Sequence, residues 1–214
     1  MIIYNYDHIQ YPFYRIVSDY FNCHNLHFLH LEDVTQHNVD EPGKDNGTIW
    51  HKKFYESVKN DSAFLDLYHL FLKNFIKVKS DALFQKIPTF RVQLPNGKAV
   101  GGKSHRDGDY NHPEGEVNFL IPLTYMSGSS SLFTESEPGL RDFKFVDLNL
   151  GNLLVFDGRN CEHGNAPNMT GLTRISFDFR VISLKDYNPD SGKSSVGIGS
   201  KFINGDYYSS FERT

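Results

Sequence analysis

The 214 residues carry a formal charge of -4, with 22 basic against 26 acidic side chains, and 39% of them are hydrophobic. That supports one sizeable core and, at a pI near 6.2, gives no general attraction for nucleic acid or an anionic membrane surface. No apolar run reaches the ~18 residues of a membrane span, no basic-then-apolar leader opens the chain, and Cys23 and Cys161 are too few for a disulfide framework. We therefore expect one cytosolic domain over residues 1–214 with both cysteines as thiols; its oligomeric state is not legible. Asn46-Gly47-Thr48 and Asn168-Met169-Thr170 match the glycosylation pattern, and without a secretion signal they read as turns.

In chain order, residues 1 to about 80 read as helical support. Within them His27-Phe28-Leu29-His30-Leu31 alternates like a short strand. His24, His27 and His30 lack a neighbouring carboxylate or cysteine at a ligand spacing, so they read as ordinary surface or core histidines. Residues 36–49 are polar and rich in turn formers, the composition of an exposed loop. From Asp61 or Ser62, either a fitting N-cap, Phe64, Leu67, Tyr68, Phe71, Phe75 and Ile76 recur at helical spacing and predict an amphipathic helix ending near Lys79. Its aromatic stripe is a packing face.

After Pro88 the pattern turns extended. Thr89 to Leu94, a turn at Pro95 to Lys98, and Ala99 to Ser104 lead into His105. Glu116 to Thr124 follows, with Glu116 and Asn118 on one side and Val117, Phe119, Ile121 and Leu123 on the other. Further strands are predicted at Ser130 to Phe133, Phe143 to Phe145, Asn152 to Phe156 and Thr173 to Ile182. Many short strands after leading helices imply a mainly β fold: a helix-buttressed jelly roll over about 84–182, closed enough to hold a small ligand. Residues 183–214 have the composition of a loose tail, although Tyr207 and Tyr208 could anchor it over a pocket mouth.

The chemistry centres on Ser104-His105-Arg106-Asp107-Gly108-Asp109-Tyr110, completed by Cys161-Glu162-His163-Gly164-Asn165. His105 and Asp107 stand two apart, which returns both side chains to one face of an extended backbone. His163 supplies the third corner of a two-histidine, one-carboxylate face, a set that leaves octahedral positions open and suits non-haem Fe(II). In Arg174-Ile175-Ser176-Phe177-Asp178-Phe179-Arg180 the period of two puts Arg174 and Ser176 on one face and Ile175, Phe177 and Phe179 on the other. A guanidinium fork with a hydroxyl beside it suits the distal carboxylate of a dicarboxylic co-substrate.

On these residues the chain resembles the Fe(II)/2-oxoglutarate-dependent dioxygenases. Pro88-Thr89-Phe90-Arg91, His105 to Tyr110, Glu116-x-Asn118-Phe119-x-x-Pro122-Leu123-Thr124 and His163-Gly164-Asn165 through Arg180 are similar to the group named for the streptomycin-biosynthesis StrG protein. The resemblance spans roughly residues 60–182 and implies a double-stranded β-helix core. It further implies Fe(II) held by His105, Asp107 and His163, and 2-oxoglutarate bound through Arg174 and Ser176; Asn118, where it faces the pocket, is a further co-substrate contact. By the same resemblance O2 would be the oxidant, succinate and CO2 the by-products, and a small metabolite such as a sugar, cyclitol or other secondary metabolite the molecule hydroxylated. The aspartate argues against halogenation, because halogenating relatives vacate that position for halide.

Other assignments compete at several positions. His112-Pro113-Glu114 is also His-x-acid, but its proline and the following Gly115 read as a turn. Asp109 is either an acceptor for a ligand imidazole or a turn residue. Gln93, Asn118 and Arg180 either face the pocket or satisfy neighbouring backbone. Cys161 reads as a buried neutral thiol rather than a nucleophile. At the level of function the competing class is a non-oxidative jelly roll, a cupin-like metal isomerase or a carbohydrate-binding module, which needs no dicarboxylate clamp.

Overall fold

The computed structural model describes residues 1–32, 48–96, 104–196 and 199–211. In chain order the main elements are β1 (Ile2–Asn5), α1 (Phe13–Phe21), α2 (Ile49–Asn60), α3 (Ala63–Phe71), β2 (Ala82–Gln85) and β3 (Thr89–Gln93). There follow β4 (Glu116–Pro122), β5 (Leu132–Thr134), β6 (Lys144–Val146), β7 (Asn152–Phe156), β8 (His163–Asn165), β9 (Arg174–Ser183) and β10 (Tyr208–Ser209). All pairings are antiparallel. The larger sheet runs β1-β7-β4-β9-β2-β10 with β3 also on β9, and the smaller runs β6-β5-β8. The chain is thus mainly β with helical buttresses, as expected, but the two sheets are not closed on each other.

The side-chain alternation of β4, β7 and β9 decides the layering. Their outward residues Phe119, Ile121, Leu153, Ile175, Phe177 and Phe179 are buried with the helix residues Phe13, Phe54, Phe64, Tyr68 and Phe71. Interlocked rings fill this layer: Phe13 meets Phe177 at 4.9 Å between centroids, and Phe54 stacks on Phe90 at 3.9 Å. The inward residues Leu120, Leu154 and Phe156 pack against Leu132 and Val146 of the smaller sheet. The inward face of β9 is polar instead, carrying Arg174, Ser176, Asp178 and Arg180, all buried.

Several local expectations change. The segment read as an alternating strand is a 3-10 helix, Leu26–Leu31, capped by Asn25, whose side chain accepts from the His27 amide. Leu26 and Leu29, three apart, are both fully buried, so a period of three prevailed over one of two. The predicted long helix is α3 followed by a π turn, Leu72–Ile76, and stops at Lys77, whose φ of 61° is left-handed. The Asp61 side chain accepts from the Ala63 amide at its start. The loop expected over 36–49 lies outside the described residues as far as 47, and Thr48 caps α2. The turn and strand expected between Pro95 and Ser104 lie outside them over 97–103.

Four strands went unforeseen: β1, β2, β8, where an irregular segment was expected from His163, and β10 in the expected tail. β1 pairs Ile2 with Val155 and Asn5 with Asn152, while β2 pairs Ala82 with Ser183. The C-terminal segment is docked rather than loose: Phe202, Tyr207 and Tyr208 are buried with Leu83 and Ile182, and the Tyr208 hydroxyl donates to Glu116. Among the described residues no helix is long and apolar enough to cross a membrane.

Candidate metal centre

His105 and His163 face each other across a two-way backbone bridge, each amide donating to the other's carbonyl at 2.9 Å. This pairing sets their rings 4.6 Å apart between centroids. The flanks are tied as well, since the Ser104 hydroxyl donates to Glu162 and the Glu162 amide donates to Glu135 Oε2 at 2.7 Å. Asp107 does not continue a strand from His105, as its spacing suggested. It opens a 3-10 turn, Asp107–Tyr110, with its amide on the Gly158 carbonyl at 2.9 Å. The turn swings the carboxylate toward both rings.

His105, Asp107 and His163 offer ligand atoms that all lie within 4.8 Å of one another, and no other such cluster occurs among the described residues. Asp107 Oδ1 is 3.6 Å from His105 Nε2 and 3.6 Å from His163 Nε2. A first-row ion with bonds of about 2.1 Å holds adjacent ligand atoms about 3 Å apart, so small adjustments would close this face on it. His163 Nδ1 donates to the Cys161 carbonyl at 3.0 Å, which leaves the Nε2 lone pair directed at the site. Burial lowers the pKa of this imidazole despite the nearby Asp107, favouring the neutral, ligating form. The donor set fits a divalent transition metal.

The second carboxylate oxygen has different company. Asp107 Oδ2 accepts from Asn118 Nδ2 at 2.7 Å and from Arg180 Nη2 at 2.8 Å. Burial disfavours the Asp107 charge, but Arg180 and the histidines outweigh it and hold the carboxyl well below the usual carboxylate range. Arg180 also donates to Asp178, which in turn accepts from Arg91 Nε at 2.9 Å. A buried chain of alternating charge therefore runs from the aspartate across β9 to β3. Its signal in the sequence was the polar residue at every second position of β9, which continues past Arg174 and Ser176 through Asp178 to Arg180.

Arg174 and Ser176 share the inward face of β9, in register with Gln93 and Arg91 of β3. The Gln93 amide donates to the Ala166 carbonyl at 2.6 Å, which links this end of β9 to the segment just past His163. Ser176 is fully buried and its hydroxyl has no hydrogen-bond partner. An orphaned buried hydroxyl beside a guanidinium-bearing position is the feature a bound carboxylate would satisfy. Asn118 lies at the other end of this face, its amide nitrogen already committed to Asp107.

The competing assignments resolve. His112 Nδ1 hydrogen-bonds Glu116 Oε2 at 2.6 Å, whereas Glu114 is exposed and faces Arg159, so His112 and Glu114 are not a ligand pair. Asp109 accepts from the Arg106 amide at 3.2 Å and acts in the turn. His27 Nε2 accepts from the Tyr125 amide at 3.0 Å and His30 Nδ1 bonds Thr173 Oγ1 at 2.8 Å, both structural roles. Cys161 is buried, its thiol pKa raised by that burial, and it serves His163 through its carbonyl.

No protein-family model matches the chain. It is 38% identical over 165 residues to the streptomycin biosynthesis protein StrG of Streptomyces griseus, covering 77% of each sequence. Among solved structures it is similar to a non-heme monooxygenase in its ThoJ–Ni complex, with a TM-score of 0.49 and 13% identity, covering 90% of this chain and 76% of that one. It is also similar to the non-heme α-ketoglutarate-dependent carbocyclase SnoK from nogalamycin biosynthesis, with a TM-score of 0.43 and 15% identity, covering 55% and 59% respectively.

Proposed function

The chain belongs to the StrG family of biosynthesis proteins, and from that premise we propose that it is an Fe(II)- and 2-oxoglutarate-dependent oxygenase that hydroxylates a small metabolite, with a sugar or cyclitol as the substrate class. The observation that carries the reading is the convergence of His105 Nε2, His163 Nε2 and Asp107 Oδ1 on one point, in a fold whose β9 turns Arg174 and Ser176 to the same inward face. Residues 1–214 act as one unit, the two sheets forming an open variant of the jelly roll.

His105, Asp107 and His163 would hold the iron, a three-ligand set that would leave it open to co-substrate and O2. When bound, the iron would supply oxidative decarboxylation of 2-oxoglutarate to succinate and CO2 coupled to hydroxylation of the substrate. The chain supplies position and exclusion. The Arg174 guanidinium pairs with the distal carboxylate of the keto acid, and the Ser176 hydroxyl donates to it. Phe156, whose ring lies 5.3 Å from that of His163, would shield that side of the site from water. His105 is the most accessible ligand, its side chain 31% exposed, and the Tyr110 ring stands 5.1 Å away, so substrate would approach on that side.

Anaerobic titration with Fe(II) and then 2-oxoglutarate should develop a weak visible charge-transfer band. Aerobic turnover should then release succinate only when both are present. A metal-loaded protein that fails to bind 2-oxoglutarate would return the chain to the non-oxidative class.

A further inference from the structure

Resting on the reading of the triad as a metal site, we propose that Asn118 and Arg180 are positioning residues that restrict Asp107 to a single-oxygen ligand and so keep three coordination positions open. A carboxylate near a divalent ion has two modes available to it, one oxygen or both. If both Asp107 oxygens bound, one of the positions needed for a chelating keto acid and O2 would be lost. Here Oδ2 is turned from the imidazoles and capped by two N–H donors at 2.7 and 2.8 Å, while Oδ1 alone faces them. Rotation of the carboxylate would break both bonds in a buried setting, where an unpaired charged acceptor is costly.

Three further observations point the same way. Asn118 is 1% and Arg180 5% exposed, and they are cross-strand partners on β4 and β9, so both donors stand on paired backbone rather than on a loop. Arg180 is itself fixed by Asp178, and Asp178 by Arg91. Finally, Gly158 leaves the space in which Asn118 stands: a Cβ there would lie 2.7 Å from Asn118 Nδ2 and 2.8 Å from its Cγ. Because the Gly158 carbonyl also receives the Asp107 amide at 2.9 Å, one turn positions the ligand's backbone and makes room for its clamp.

The test is anaerobic titration of the full chain with Co(II), followed by calorimetry and by the visible d–d spectrum, in wild type, Asn118→Ala, Gly158→Ala, Arg180→Lys and Arg180→Gln. Asn118→Ala and Gly158→Ala should each weaken Co(II) binding by about 10- to 100-fold and shift the spectrum in the same sense, although only the first removes a polar group. Arg180→Lys, which keeps a charge but loses the planar fork, should bind more tightly than Arg180→Gln. Asn118→Ala removes no charge and keeps the test open where Arg180→Gln fails to fold. An Asn118→Ala protein whose Co(II) spectrum superimposes on that of wild type overturns the proposal even if its affinity or melting temperature falls. Wild type that binds no Co(II), or binds it equally well after His163→Ala, instead removes the metal reading and this inference with it.

Discussion

The strand that presents the site to its interior is backed by Ile175, Phe177 and Phe179, of which Phe177 meets both α1 and α3, and Phe177→Ala tests how much the arrangement depends on that ring. Phe177 is fully buried, with centroids 4.9 Å from Phe13 of α1 and 5.2 Å from Phe64 of α3. Truncation removes roughly 150–250 Å² of apolar contact, which at about 25 cal/mol per Å² is about 4–6 kcal/mol. Partial collapse of the helices into the space reduces this to about 3–5 kcal/mol. For a chain of this size each kcal/mol moves Tm by about 2–4 °C, so scanning calorimetry should show a fall of about 6–20 °C. Phe145→Ala, at a position 57% exposed, is the control and should change stability by less than about 0.5 kcal/mol. A fall of less than about 3 °C for Phe177→Ala would refute the view that α1 and α3 anchor β9 through this ring.

His163→Ala should abolish Fe(II) binding measured by calorimetry. Arg174→Ala should leave metal binding intact and weaken 2-oxoglutarate by about 10- to 150-fold, the equivalent of one charge-assisted contact of about 1.5–3 kcal/mol; equal metal loss in both variants would contradict the division of roles. Tyr208→Phe deletes one of the two partners of buried Glu116 and should cost about 1–3 kcal/mol while exposing the C-terminal segment to limited proteolysis; an unchanged digestion pattern would refute the latch. The native pKa of Asp178 is depressed, since Arg91 and Arg180 together outweigh the opposing effect of its burial. The unfolded chain therefore protonates this group first, near pH 3.9, and the group's stabilisation is complete above that pH and lost as pH falls through the lower native value. Asp178→Asn should accordingly lower stability at pH 7 and flatten the acid limb of the stability–pH curve; an identical limb in both proteins would contradict this.

The strands of the central sheet were readable because their alternation is strong. β3, β4, β7 and β9 fall within a residue or two of the predicted spans, and the inward placement of Arg174 and Ser176 follows directly from period two. Other parts were hidden for identifiable reasons. Ile2 to Asn5 has four residues and is exposed on both faces, so it carries no alternation and becomes a strand only through the β7 edge. Leu26 and Leu29 satisfy a period of three inside a stretch that also alternates, and the one local sign for the helix is Asn25 at its cap. The Tyr207-Tyr208 pair offered a reason for the tail to dock, while its polar, glycine-rich flanks suggested the opposite; tertiary burial of three aromatic rings settled it.

The metal face shows a different relation between pattern and geometry. His105-x-Asp107 named two side chains that do come together, though by a different route, because a bridge and a 3-10 turn join them where a continuous strand was expected. A turn gives no fixed direction to a carboxylate, so a site built on one needs additional fixing that a strand would not. That fixing comes from β4 and β9, the most firmly paired strands around the site, through Asn118 and Arg180. The same alternation that sends Phe177 and Phe179 into the aromatic layer sends Arg174, Ser176, Asp178 and Arg180 inward. One strand is thus anchored by the helices on one side while on the other it holds the aspartate through Arg180 and turns Arg174 and Ser176 inward. Disturbing either face of β9 should be felt at the His105–Asp107–His163 face, whereas changes on the exposed edges of the sheets should not.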